Sequence, residues 1–293
     1  MKTAGGYLVQ TSTTDGLILH GFFLPPVENA PVIIFIHGFE GNFYENGFIH
    51  TFITLCSEKG IGFLSVNTRG NGKITDFNTT SGDMKTIGAW HERLEEAYMD
   101  IDAWIEFVKD WGVTGKIILQ GHSLGTYKSV RYMVEGMKKY DIAKIVLLSP
   151  FDMKAELEYW PDMSFTQTVA MVKEHVQQGF GNELLDHEPS HTTMSHNTFL
   201  SWYGNADVQR VFELTDPTFV SPVLSQITIP VFIALGDKDE YFYKPSQGVY
   251  REKLDELTIR FPNAKNLLIS DAHHSYESKE DELVAAVISF VLS

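Results

Sequence analysis

Short runs of β-branched and other apolar residues alternate along the chain with longer stretches whose apolar positions recur every three to four residues. Pro31–His37 reads Pro-Val-Ile-Ile-Phe-Ile-His, apolar at nearly every position. A strand open to water on one face would alternate with period two, so this run predicts a strand covered on both faces, as in a parallel sheet between helical layers. Similar runs predict strands at Ile61–Asn67, Lys116–Gln120, Ile142–Leu148, Ile229–Leu235 and Asn266–Ile269. Helical spacing lies between them, at about Glu45–Lys59, at Glu92–Lys109, from Leu124 to about Lys139, and at Glu280–Leu292. In the second of these Leu94, Ala97, Tyr98, Ile101, Ile105 and Val108 share one face; in the third Tyr127, Val130, Val134 and Met137 do. Tyr7–Thr13 and Leu17–Leu24 flank Asp15-Gly16, a pair suited to a tight hairpin turn. The pattern therefore predicts an α/β fold with a mostly parallel central sheet and helices on both faces.

The alternation stops after Ser149-Pro150. From about Asp152 to Gln226 the strand signal disappears, and aromatic residues (Tyr159, Trp160, Phe165, Phe199, Trp202, Tyr203) and histidines (His175, His187, His191, His196) accumulate. A structureless loop of that length is improbable inside a compact domain, so the stretch is expected to be mostly helical. The expected organisation is a core made of residues 1–151 and 227–293, with residues 152–226 inserted as a helical cap rather than standing as a second domain.

Composition narrows the partners. Asp and Glu number 38 against 23 Lys and Arg, a formal net charge of −15. An acidic surface argues against nucleic acid and anionic membrane, both of which attract basic faces. The single cysteine, Cys56, excludes an internal disulfide and a cysteine-based zinc site. His187 and His191 have the i, i+4 spacing of metal ligands, but Pro189 between them argues against a continuous helix, so no metal is expected. Met1–Gln10 lacks an apolar leader core, and no apolar run reaches bilayer-spanning length, so a cytoplasmic location is expected. No cofactor is expected. A homodimer is left open.

Candidate chemistry centres on Gly121-His122-Ser123-Leu124-Gly125. A predicted strand leads straight into it and an amphipathic helix straight out. That is the context of a nucleophile elbow, where a serine sits on a strained turn that tolerates only small neighbours two residues either side. A serine hydroxyl needs a base to take its proton, and the base needs an acid to orient it. In sites of this strand–turn–helix kind, the acid and then the histidine follow the serine in the chain, each after a strand. Gly236-Asp237-Lys238-Asp239-Glu240 and Ser270-Asp271-Ala272-His273-His274-Ser275-Tyr276 fall at those places. A residue directly after a strand turns back onto the sheet edge, while one farther on can reach across. Asp239 is therefore favoured over Asp237, with Glu240 third, and His274 is preferred to His273. Oxyanion donors are expected from the N–H groups of Leu124 and of Phe39 in His37-Gly38-Phe39-Glu40-Gly41-Asn42, where glycine allows close approach. His37 is expected to support that loop. Gly38, His122, Trp160, Trp202 and Tyr241 are expected to line the substrate site.

From about Ala30 onward these motifs resemble the α/β-hydrolase superfamily, with Asn67-Thr68-Arg69-Gly70-Asn71-Gly72 similar to its Asp-x-Arg-Gly-x-Gly loop except at Asn67. Gly41–Asn46, Asp100–Ile105, Asn182–Leu185, Phe199–Gly204 and Lys238-Asp239-Glu240-Tyr241 further resemble a branch containing fungal siderophore-esterase-like proteins and bacterial relatives. That resemblance implies that Asp239 is the acid and that His274, before Ser-Tyr, is the base. It also implies ester cleavage, of hydroxamate or peptide-like metabolites, and the aromatic residues of the expected cap point to a small, partly apolar substrate. The alternatives are a thioesterase, amidase or acyltransferase using the same three residues, and, more remotely, a non-catalytic ligand-binding protein.

Overall fold

Every residue of the segments Val32–Ile36, Gly62–Val66, Ile117–His122 and Val231–Gly236 is buried, which explains why their sequences carry no alternation. The computed structural model describes residues 5–136, 140–158, 165–185, 193–204, 208, 210–216, 218–242 and 249–293. Its strands are β1 (Tyr7–Ser12), β2 (Ile18–Leu24), β3 (Val32–Ile36), β4 (Gly62–Val66), β5 (Asp76–Asn78), β6 (Met84–Thr86), β7 (Ile117–His122), β8 (Ile142–Leu148), β9 (Val231–Gly236) and β10 (Ala264–Ile269). Its helices are α1 (Gly47–Lys59), α2 (Ala97–Asp110), α3 (Leu124–Glu135), α4 (Met153–Glu158), α5 (Phe165–Gln177), α6 (His196–Tyr203), α7 (Tyr250–Thr258) and α8 (Glu280–Leu292).

Eight strands form one sheet in the order β1-β2-β4-β3-β7-β8-β9-β10. The β1–β2 hairpin and the β2–β4 pair are antiparallel; every other pair in this sheet is parallel. This is the expected α/β-hydrolase architecture. The order reverses direction around β3, so the C-terminal ends of β3 and β7 lie side by side. Ile36 pairs with Gly121 there, which brings the loop after β3 against the turn after β7. Ligands gather at such reversal points because two loops part to leave a crevice.

Helices α1 and α8 cover one face, packing Phe48, Phe52, Leu283 and Val287 over Ile33, Phe35, Ile118 and Val146. On the other face, Trp104 and Ile105 of α2 pack on Ile34, Leu64 and Leu119. Beside them Tyr127 and Val130 of α3 pack on Ile145 and Leu147. Val172, Phe199, Trp202 and Phe212, from the segment between β8 and β9, join this same α3-side core. Among the described residues that segment carries α4, α5, α6 and a 3-10 turn at Leu224–Gln226, and none of its residues belongs to the eight-stranded sheet.

Three details differ from the sequence expectation. The helix expected from Glu92 begins at Ala97, after a 3-10 turn at Leu94–Glu96. Glu92 itself turns inward and is fully buried. The β5–β6 hairpin and α7 were not anticipated, since three-residue strands and a short polar helix leave little periodic signal. The expected extension of α3 through Met137 lies outside the described residues.

Candidate active site

Ser123 occupies the turn between β7 and α3 with φ 52° and ψ −123°, backbone angles a side chain rarely adopts. Packing enforces the turn. A Cβ on Gly121 would meet the Gly125 carbonyl oxygen at 2.2 Å, and one on Gly125 would meet the Ile36 carbonyl oxygen at 2.2 Å. Both glycines are thus required for α3 to return directly over the strand. Leu124, buried, is the first residue of α3, where a backbone N–H has no intrahelical acceptor.

The loop after β3 lies against this turn. A Cβ on Gly38 would fall 2.9 Å from Ser123 Cβ and 3.4 Å from Ser123 Oγ, so only glycine lets the loop approach the serine. His37, fully buried, donates from Nδ1 to the Gly38 carbonyl at 2.7 Å and accepts at Nε2 from the Thr68 N–H at 3.0 Å. Burial, reinforced by nearby Lys128, pushes its pKa down to about 3, so the ring is neutral. Glu40 adopts φ 55° and accepts a hydrogen bond from Trp90 Nε1 at 2.9 Å. Phe39 is half-buried, with its ring edge-to-face with Trp202 at 5.3 Å.

On the other side, Asp239 and His274 meet. Asp239, 1% exposed, places Oδ1 2.9 Å and Oδ2 3.0 Å from His274 Nδ1. Burial alone would raise its pKa. The adjacent His274 and the Tyr241 N–H outweigh that and hold the carboxyl below its usual range. Asp237 behaves differently: its Oδ1 accepts the Asp271 N–H at 2.7 Å, fixing the turn after β10. His273 is 59% exposed, 3.5 Å from Glu240. The structure thus brings Asp239, and neither Asp237 nor Glu240, to the His274 ring; Glu240 Oε2 instead accepts from the His274 backbone N–H at 3.4 Å.

His274 is also held through its backbone. Its carbonyl accepts from His122 Nε2 at 2.9 Å and from Ser149 Oγ at 2.9 Å. His122, expected to line the substrate site, is instead buried, with its ring 4.9 Å from that of His274 and its N–H committed to that carbonyl. Burial first, and then the neighbouring His274, lower its pKa to about 3. Tyr241 is 44% exposed and sets its ring edge against His274 at 4.7 Å. Trp202 is buried against Phe39. Trp160 lies outside the described residues, as do His187 and His191.

Sequence reasoning passed over Ser149, Trp90, Thr68, Lys128 and Glu92. Ser149, with φ 48°, could have been flagged only by its place at the end of a strand beside the elbow. Trp90 ties the β3 loop to the start of α6, since its carbonyl accepts from Ser195 N at 2.7 Å and Thr198 Oγ1 at 3.0 Å. Among the described residues no cluster of three metal-ligating side chains is found, and no helix is long and apolar enough to cross a membrane.

The chain is similar to known proteins at low sequence identity. A family model described as Serine aminopeptidase, S33, matches residues 28–260. The esterase Est1E from Butyrivibrio proteoclasticus, solved with bound ferulic acid, is 20% identical over 97% of this chain and 98% of its own, with a TM-score of 0.68. A thermostable carboxyl esterase from Bacillus coagulans, in complex with glycerol, is 15% identical over 99% of this chain and 98% of its own, with a TM-score of 0.67. The Pyrococcus furiosus esterase Pf2001 is 17% identical over 98% of this chain and 90% of its own, with a TM-score of 0.58. No curated protein matches by sequence. At these identities the structural likeness is one of fold. With the sheet order, the elbow turn and the family match in agreement, the chain belongs to the Serine aminopeptidase, S33, family of α/β-hydrolases.

Proposed function

We propose that the protein is a serine hydrolase that cleaves a carboxylic ester of a small, partly apolar metabolite through an acyl-enzyme. One observation carries the reading. The buried Asp239 carboxylate spans His274 Nδ1 with both oxygens, and the His274 carbonyl is tied to His122, the residue before Ser123. Asp239 holds the proton on Nδ1, which leaves Nε2 as the base. Ser123 Oγ attacks the ester carbonyl carbon as Nε2 takes its proton. The oxyanion is held by the Phe39 and Leu124 N–H groups. Collapse expels the alcohol, protonated from His274; water, deprotonated by the same nitrogen, then releases the acid and restores Ser123.

The helices between β8 and β9 act as the cap in this reading. Trp202 against Phe39 and Tyr241 against His274 supply apolar walls, which suits an acyl or alcohol group with aromatic or aliphatic character. The esterase names of the structural neighbours support the ester over other acyl compounds. The family description supports a second reading, amide cleavage at an amino terminus.

The test is fluorophosphonate labelling together with hydrolysis of p-nitrophenyl esters of graded chain length and of aminoacyl p-nitroanilides. Wild type is expected to label and to prefer esters, and Ser123→Ala to lose labelling and about 10⁵-fold or more in kcat. Folded wild type that neither labels nor turns over any ester would refute the reading. Higher kcat/KM on the anilides would replace it with the second.

A further inference from the structure

Behind the β3 loop lies a buried ion pair for which the acyl-transfer mechanism has no use. Lys128, on α3 five residues after Ser123, and Glu92 are both fully buried, with Nζ 2.6 Å from Glu92 Oε1. Among the described residues Glu92 Oε2 has no hydrogen-bond partner, and burial raises the Glu92 pKa against the pull of Lys128. Such a pair is a poor device for stability alone, because desolvating two charges offsets most of their attraction and apolar replacements often do as well.

The Lys128 ammonium also reaches Thr68 Oγ1 at 3.2 Å. An ammonium can only donate, so Oγ1 accepts there and its own proton turns to His37 Nε2, 3.1 Å away. The Thr68 N–H reaches the same nitrogen at 3.0 Å. With Nε2 accepting, the ring proton sits on Nδ1, 2.7 Å from the Gly38 carbonyl oxygen. Every bond in the series therefore donates in one direction, from the cation to that oxygen.

We propose that Lys128, acting through Thr68 and His37, is a positioning residue for the oxyanion hole: the chain of donated hydrogen bonds from its ammonium to the Gly38 carbonyl orients and polarises the peptide that carries the Phe39 N–H. The proposal rests on the assignment of that N–H as an oxyanion donor. A peptide unit is planar, so fixing its C=O on one side aims its N–H on the other. Hydrogen bonds in series strengthen one another in a low-dielectric interior, and drawing electron density onto the Gly38 oxygen makes the Phe39 N–H a stronger donor. The pieces are held rigidly. Arg69, next to Thr68, binds Asp100 through its N–H at 2.8 Å and its guanidinium at 2.8 Å. Gly70 lacks a Cβ that would strike Glu92 Oε2 at 2.1 Å. Glu92 in turn holds the ammonium beside Thr68.

The test compares Thr68→Val, Thr68→Ser and the double variant Lys128→Met/Glu92→Gln, which removes both charges together. Thr68→Val, which cuts the series at its middle, is expected to lower kcat on a p-nitrophenyl ester about five- to tenfold, and the double variant, which leaves the Thr68 hydroxyl on His37, about three- to fivefold. KM should stay within about twofold, because the interaction strengthens only as the oxyanion forms. Affinity for an alkylboronic acid, which forms a tetrahedral adduct on the serine, should fall by the same factor as kcat/KM, and Thr68→Ser should restore both. Imidazole ¹⁵N shifts should report an Nδ1–H tautomer for His37 in wild type and in Thr68→Val alike, because the Thr68 N–H still donates to Nε2, with the Nε2 resonance moved by loss of the hydroxyl donor. The proposal is overturned if Thr68→Val shifts only the melting temperature and leaves kcat and boronate affinity within about twofold of wild type. A wild-type His37 protonated on Nε2 overturns it equally. If the double variant does not fold, the Thr68 pair decides alone. Wild type that fails to label at Ser123 sinks the hydrolase reading and this proposal together, whereas normal labelling with unaltered Thr68→Val kinetics sinks this proposal only.

Discussion

Two buried, neutral histidines flank Ser123, and they reach the chemistry by different routes. His122 closes β7 and donates directly to the carbonyl of His274, the proposed base. His37 follows β3 and donates to the carbonyl of Gly38, the other end of the peptide whose N–H is the proposed oxyanion donor. The charge on the base side, Asp239, touches the imidazole of the proposed base itself. The charge on the oxyanion side, Lys128, stands two residues removed, behind Thr68 and His37. Direct contact makes the base side sensitive to the loss of a single atom. The relay makes the oxyanion side graded, since each link passes on only part of the effect.

That contrast can be broken in order of expected effect. Asp239→Asn keeps the shape but presents an amide where His274 needs an acceptor, and kcat is expected to fall about 10⁴-fold. Asp237→Asn, which touches only the Asp271 turn, should stay within about twofold. Steady-state kinetics of the two variants at one pH separates them, and comparable losses would mean that the acid has been misassigned.

A second measurement addresses both histidines at once. Each has its pKa lowered to about 3 in the fold from an ordinary 6.5. Between those values only the unfolded chain binds the proton, so acid favours unfolding and stability rises with pH through this window. Each contributes up to about 1.4 kcal/mol per pH unit once the unfolded imidazole is mostly protonated, so the pair should destabilise the protein by about 3 kcal/mol between pH 6.5 and pH 5. Urea unfolding across that range measures the slope. A flat profile would mean that neither ring is held neutral.

The smallest effect sharpens the comparison most. His122→Phe removes one of two donors to the His274 carbonyl and leaves Ser149 Oγ in place, so kcat should drop only about tenfold. The same variant should remove about half of the pH slope. Adding Ser149→Ala should cost more than either change alone, because both serve one oxygen. Additive losses in kcat would indicate that the two donors act independently.

Much of the frame was legible in the chain. Central strands buried on both faces leave unbroken apolar runs, and amphipathic helices leave their period, so fold class follows from patterning alone. The elbow was legible because a strained strand-to-helix turn demands glycine at 121 and 125. The order of serine, acid and histidine narrowed the partners to two loops. Within the first, the distance past the strand separated Asp239 from Asp237; within the second, adjacent His273 and His274 differ only by which side of a turn they occupy, and chain order cannot say which side faces the serine.

What only the tertiary structure decided is where the polar side chains inside the fold point. Nothing in the periodicity of α3 singles out Lys128, yet α3 is enclosed on every side near its start and Lys128 is fully buried. Glu92 reads as the first turn of a helix, yet it leaves that helix to meet Lys128. His122 reads as a wall of the substrate site, yet its N–H is spent on a backbone carbonyl 152 positions away in the chain. Local sequence encodes burial through periodicity, which is a property of neighbours along the chain. A polar side chain buried by elements from elsewhere takes whatever partner they bring, and that pairing exists only once the sheet has set β3, β7 and β9 side by side with the loops that carry Thr68, Gly38 and His274.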